Sequence, residues 1–118
     1  MAFVREWSSQ LIIYKIEGGC IKDFYGRILY LLDDNRIKNF QGQVLYVLDG
    51  NYIKDFYGRY LYEFVGNQIK KWGGLFIYRI ENQYFQDFYM RNLYIFEGSM
   101  TRLELMAISL ILILKENK

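Results

Sequence analysis

Hydrophobic and polar positions along this chain recur with a period of sixteen residues. Tyr14, Tyr30, Tyr46, Tyr62, Tyr78 and Tyr94 stand in register without a gap. Two residues after each comes a large apolar side chain (Ile16, Leu32, Leu48, Phe64, Ile80, Phe96). Seven after it comes Ile21, Ile37, Ile53, Ile69 or Phe85, and ten after it Phe24, Phe40, Phe56, Trp72 or Phe88. An internal period of this length marks a repeat architecture. Within each unit the alternation is that of strands. Tyrosine shares a face with the residue two places on, while the position between them varies through Lys15, Leu31, Val47, Glu63, Arg79 and Ile95, as an outward site does.

Turn residues punctuate the pattern twice per unit. Four residues after each tyrosine stand Gly18, Asp34, Gly50, Gly66, Asn82 and Gly98, residue types that tolerate the positive φ of a tight reversal. A second turn follows the aromatic at Gly26, Gly42, Gly58 and Gly74, with Met90 as the departure. Each unit therefore predicts a tyrosine strand (28–33, for instance) and an aromatic strand (36–40), each of about five residues. Val4 and Trp7 supply an aromatic strand at the start of the chain, with one extra residue before Tyr14. The repeats end on a tyrosine strand, 92–97. These two strand types pair everywhere else, so 4–7 is expected to pair with 92–97. That closes an antiparallel β-barrel of about twelve short strands with no free edge.

After Gly98 the pattern stops, and 99–118 contains neither glycine nor proline. Thr101-Arg102-Leu103-Glu104 fits a capping box, and the LELMAISLILIL that follows is apolar on nearly every face. A helix over 101–114 is predicted. Such a helix belongs inside a protein or a membrane, and its apolar run falls short of the ~20 residues that span a bilayer. Twelve strands ~4.8 Å apart and tilted ~40° give a barrel radius of about 12 Å. A helix of ~5–6 Å radius then leaves room for one layer of inward side chains. The helix is expected to fill the barrel, against inward rows of tyrosine, isoleucine and phenylalanine. The competing assignment makes the tail two further strands, because 110–114 alternates isoleucine and leucine. On either assignment 1–118 reads as one domain, with repeats over about 4–98.

Composition changes the picture mainly by exclusion. Hydrophobic residues make up 53% of the 118 and aromatics 19%, enough to build a core. There is no histidine and one cysteine, Cys20, which excludes histidine-dependent triads, zinc clusters and internal disulfides. Cys20 falls in a predicted turn near Lys22, a weak setting for a reactive thiol. No phosphate loop, dinucleotide glycine motif or metal-ligand spacing occurs, so no cofactor, metal or catalytic residue is assigned. The net charge of +2 demands no polyanionic partner, and nucleic acid is not expected. Arg5, Glu6 and Trp7 interrupt the stretch where a signal peptide needs an apolar run, so the expected location is cytoplasmic or peripheral to the membrane.

Equivalent positions of a closed barrel form rings. Lys22, Lys38, Lys54 and Lys70 share one position, and Arg27, Arg59 and Arg91 another. Together they form a candidate anion-binding band. Asp23, Asn39, Asp55 and Asp87 sit beside the lysines, which also suits a solvated surface of cross-strand pairs. The tyrosine ladder reads as half-buried structure with hydroxyls at a rim. Tyr25, Tyr57 and Tyr89, beside the second turn, are expected to be exposed and able to contact a partner.

The recurring IKDFYGR-x-LY unit (21–30 and 53–62) and the closing FEGSMTRLELMAISLIL segment resemble the bacterial β-flower-type repeats. More distantly they resemble the tubby/scramblase-like barrels, which wrap twelve strands around a hydrophobic C-terminal helix. The likeness covers about 4–114. A β-flower resemblance implies no established activity. A tubby-like one implies phosphoinositide binding, and no site residue carries over from it. The expected function is a non-enzymatic binding or scaffold module, at an anionic membrane surface or with protein partners. The alternative is a hydrolase or nuclease using turn carboxylates such as Asp23 and Asp55.

Overall fold

The computed structural model describes residues 1–117 and consists of twelve strands followed by one helix. The strands are β1 (Ala2–Glu6), β2 (Ile12–Glu17), β3 (Cys20–Asp23), β4 (Ile28–Asp33), β5 (Arg36–Asn39) and β6 (Val44–Asp49), then β7 (Tyr52–Asp55), β8 (Tyr60–Val65), β9 (Gln68–Lys71), β10 (Phe76–Glu81), β11 (Tyr84–Asp87) and β12 (Asn92–Gly98). Each pairs antiparallel with its chain neighbours, and β1 also pairs with β12 through Ala2↔Gly98 to Glu6↔Tyr94. The barrel is closed, as the two leftover strand types predict. The seam is tight at Gly98 (φ 86), where an added Cβ would collide with the Met1 carbonyl.

The recurrent Leu-Tyr dipeptide has a geometric role. Wherever an aromatic strand meets the following tyrosine strand, the register slips by one residue. Tyr30 faces Ile21 while Ile28 faces Lys22, which leaves Leu29 as the bulge. Ile13, Leu45, Leu61, Ile77 and Leu93 occupy the same place at the other such pairings. A bulge bends its strand and increases the local twist. Repeated around the wall, it supplies the curvature that lets short strands close a circle.

Helix α1 (Arg102–Glu116) starts at the predicted capping box. Thr101 Oγ1 accepts the Glu104 N–H at 3.1 Å, and Glu104 Oε1 accepts the Thr101 N–H at 2.9 Å. Met106 through Ile113 are all 0–3% exposed. Eight consecutive helical positions cover every face of two turns, so the helix is surrounded, and the only surrounding wall is the barrel. The alternative of two further strands is thereby excluded. The helix runs two residues beyond the predicted end, through Lys115 and Glu116. Arg102 Nη2 donates to Asn51 Oδ1 (3.1 Å) in a turn at one end of the barrel, while Glu116 meets Tyr94 near the other.

The inward rows require one correction. Val4, Ile16, Ile21, Ile37, Leu48 and Ile53 are fully buried, as are Ile69 and Phe85, and the tyrosines pack beside them. Phe24, Phe40, Phe56, Trp72 and Phe88 do not join this core; they are exposed. Each lies three residues after the inward isoleucine or phenylalanine, an odd offset that period-two alternation sends outward. The aromatic strands accordingly stop one residue short, at Asn39 rather than Phe40 in the second unit. Two smaller corrections concern turn residues. Gly73, not Gly74, takes the positive φ of its turn, and Cys20 opens β3 rather than lying in a turn.

The six tyrosines ring one end of the core. Burial pushes the hydroxyls of Tyr14, Tyr46, Tyr62, Tyr78 and Tyr94 upward, and neighbouring phenols reinforce this at Tyr14 and Tyr46. Tyr94 is raised most, because its hydroxyl also donates to Glu116 Oε2 at 2.5 Å. An acid whose folded pKa is raised stabilises the fold fully below its unfolded pKa and loses that contribution as pH rises past it. Alkaline unfolding is therefore expected to begin near the ordinary tyrosine value of 10.0, with tyrosinate absorbance and loss of sheet circular dichroism rising together. Tyrosinate that forms while the sheet signal stays intact would contradict the buried ring. The helix gives a second expectation. Ile108→Asp puts an unpaired charge at the barrel centre and should abolish the cooperative thermal melt. Ser109, also fully buried, has a hydroxyl with no hydrogen-bond partner. Ser109→Ala should therefore raise the unfolding free energy by about 1 kcal/mol in a urea titration.

Candidate functional site

Because the sheet is a closed meander, the turns that follow the aromatic strands all gather at one end of the barrel. This end forms a crown. Apart from Met1 and Val65, every exposed large hydrophobic residue among the described residues lies in or beside its turns. Trp7, Phe24, Phe40, Phe56, Trp72 and Phe88 each contribute an exposed ring, one per turn. Shallow apolar clefts open between neighbouring turns. One of about 440 Å³ lies where Leu11–Ile13 meet Phe24, Tyr25 and Arg27.

Three of the turns share one construction, built from the DFYGR sequence at 23–27 and 55–59 and DFYMR at 87–91. Asp23 Oδ1 accepts the backbone N–H groups of Tyr25 and Arg27, both at 2.9 Å, and Oδ2 accepts Arg27 Nε at 2.7 Å. Asp55 and Asp87 repeat the arrangement with their own tyrosine and arginine at 2.7–3.0 Å. Partial desolvation beneath the turn pushes these carboxyls up. The hydrogen bonds from the arginine and tyrosine outweigh it and hold all three below the usual carboxylate range. The aspartates are only 12–15% exposed, whereas Arg27, Arg59 and Arg91 are 72–77% exposed, so the crown presents the cation and hides the anion. Tyr25, Tyr57 and Tyr89 stand fully outward, and the Arg59 and Arg91 guanidiniums lie 5.5–5.7 Å from the rings of Tyr57 and Tyr89.

The structure thus brings six of the ten predicted contact residues together and leaves the four lysines elsewhere. Lys22, Lys38, Lys54 and Lys70 lie mid-strand on the outer wall. Lys38 pairs with Asp33 at 2.6 Å and Lys54 with Asp49 at 2.7 Å, both acids at the rim opposite the crown. Arg5–Glu97 and Arg79–Glu81 tie further wall cations to that same rim. Lys38 and Lys54 thus pair across strands, though with these acids rather than with Asp23, Asn39, Asp55 or Asp87. As for acid–base chemistry, Asp23, Asp55 and Asp87 end strands four apart in the barrel, roughly 19 Å along the wall, well beyond the separation of working carboxylate pairs. Their lowered pKa values also run opposite to those of a general acid. Among the described residues no three acidic or cysteine side chains converge as metal ligands.

The exposed Phe and Trp positions were not among the predicted surface residues, although their odd offset from the inward row was available in the sequence. Met90 carries a further signal. It takes φ 64 where the equivalent turns have Gly26 and Gly58, and it is exposed on the crown. A side chain held in the left-handed region at a surface turn costs stability, and such positions concentrate at functional surfaces.

No protein-family model, curated protein or solved structure matches this chain, so the β-flower and tubby-like resemblance rests on the chain's own motifs.

Met90→Gly is expected to raise the unfolding free energy by about 1 kcal/mol, read from a urea titration. An unchanged or lowered midpoint would mean that Met90 packing offsets its backbone strain.

Proposed function

We propose that the protein is a non-enzymatic module that docks crown-first on an anionic membrane surface. The observation carrying this reading is the confinement of the exposed aromatic rings to one end of the barrel, interspersed with outward arginines. Tryptophan and tyrosine partition to the membrane–water interface, where an amphipathic ring has both its environments. Contiguous exposed apolar surface of this kind marks an interaction site. At the opposite rim Asp33, Asp49, Glu81 and Glu97 are paired with wall cations, and among the described residues no large aromatic ring is exposed there. The exposed rings therefore set the orientation, with the crown arginines turned to the headgroups.

Docking, rather than spanning, suits the dimensions. Among the described residues no helix is long and apolar enough to cross a membrane. The strands are four to seven residues long, below the roughly 9–11 of a membrane-spanning strand, and their outer face carries lysines. The tubby-like resemblance points the same way but supplies no site residue.

Both tryptophans, Trp7 and Trp72, lie in the crown and report on it directly. With vesicles of equal parts phosphatidylglycerol and phosphatidylcholine at low salt, the protein should co-sediment and its tryptophan emission should shift to the blue. Added salt should weaken both effects. The double variant Phe40→Ser, Phe56→Ser should lower partitioning at least tenfold while the thermal melt is retained. Absence of binding at low salt would overturn the membrane reading and leave a protein partner as the occupant of the crown.

A further inference from the structure

The arginine-bearing turns do not follow the sixteen-residue period; they follow its double. Going round the crown, DFYGR at 23–27, DFYGR at 55–59 and DFYMR at 87–91 alternate with turns that place Gln43, Leu75 and, in the longer first turn, Leu11 at the corresponding position. The barrel wall repeats six times, but the crown's chemistry repeats three times, about every fourth strand.

We propose that these turns are three equivalent lipid-phosphate sites, in which Arg27, Arg59 and Arg91 each hold one phosphodiester headgroup of an anionic bilayer. The inference rests on the membrane reading of the crown and adds the contacts and their number. In every copy the aspartate engages Nε, at 2.7 Å, and so fixes the guanidinium plane while the terminal nitrogens form a forked donor edge turned to solvent. A guanidinium oriented in advance loses less freedom on meeting a phosphate, and its planar fork matches two phosphate oxygens. The aspartate does not compete for that edge, because both its oxygens are engaged within its own turn. The tyrosine at the turn tip, together with the preceding phenylalanine, gives each site an apolar footing at headgroup depth. Three such contacts spaced around a circle define a plane, and they seat the barrel axis along the bilayer normal. Linked sites multiply, so moderate individual contacts give strong overall partitioning.

The test uses the full chain and the same phosphatidylglycerol–phosphatidylcholine vesicles. Arg27→Gln, Arg59→Gln and Arg91→Gln should each lower the partition coefficient about five-fold, and the triple variant about 100-fold. Gln43→Arg, made together with Asn39→Asp, replaces the Asn39 Nδ2–H hydrogen bond to Gln43 Oε1 (2.8 Å) with the same aspartate–arginine pair and should raise it about five-fold. Arg59→Lys keeps the charge without the fork and should recover only part of the loss; full recovery would overturn the oriented guanidinium. If the unaltered protein binds but single arginine changes leave partitioning intact, or Gln43→Arg with Asn39→Asp adds nothing, the three-site inference is overturned while membrane docking stands. If the unaltered protein binds no vesicle, docking itself fails first.

Discussion

Everything in this molecule is arranged around one constraint: a helix with no polar face has to be kept from water on all sides. From Met106 to Ile113 the only polar side chain is Ser109, so neither a single sheet nor a neighbouring helix would cover it. A closed wall does. The need for closure fixes the number of strands, because the wall must stand one side-chain layer away from the helix. It also fixes their brevity, because a wall taller than four helical turns would enclose empty space. The bulges at Ile13, Leu29, Leu45, Leu61, Ile77 and Leu93 follow from the same demand, since they bend strands that are otherwise too short to curl.

Burying the helix leaves the two ends of the barrel free to differ. One end is polar, and its acids receive the wall's cations through pairs such as Lys38–Asp33 and Arg5–Glu97 beside the helix N-terminus. The other collects aromatic rings and arginines whose balancing carboxylates are folded beneath the turn. The asymmetry has a simple origin. In a two-turn repeat closed on itself, every turn of one kind lies at one end, so a sequence difference between the two turn types becomes a difference between the two faces of the molecule.

Much of the fold was legible in the sequence because the repeat samples each structural position several times. Tyr14 alone says little, whereas its recurrence through Tyr94, always with an apolar residue two places on, identifies an inward row. The capping box at Thr101–Glu104 and the loss of turn residues after Gly98 marked the helix. The phenylalanine row misled because hydrophobicity was weighed before parity: an aromatic side chain at an odd offset faces solvent whatever its affinity for a core. The bulges were not legible, since a leucine before each tyrosine looks like an ordinary outward strand residue until the register of its partner is known. The placement of the candidate surface residues was half legible. Arg27 and Tyr25 sit beside a turn and are exposed for that reason. Lys38, by contrast, depends on a cross-strand acid, Asp33, whose proximity is set by the strand register and not by any neighbour-by-neighbour rule.

The seam between β1 and β12 governs how the protein is made. Every other strand pairing joins neighbours along the chain, while the Arg5–Glu97 contact across the seam links residues 92 positions apart. Local hairpins form quickly, and distant pairings wait for loop closure. The helix lies C-terminal to all twelve strands, so during synthesis the strands emerge before the segment that fills the barrel. A chain held on the ribosome just after Gly98 presents an open, curved ribbon with a hydrophobic concave side. Closure and filling are thus coupled, because α1 is wrapped as the first strand meets the twelfth.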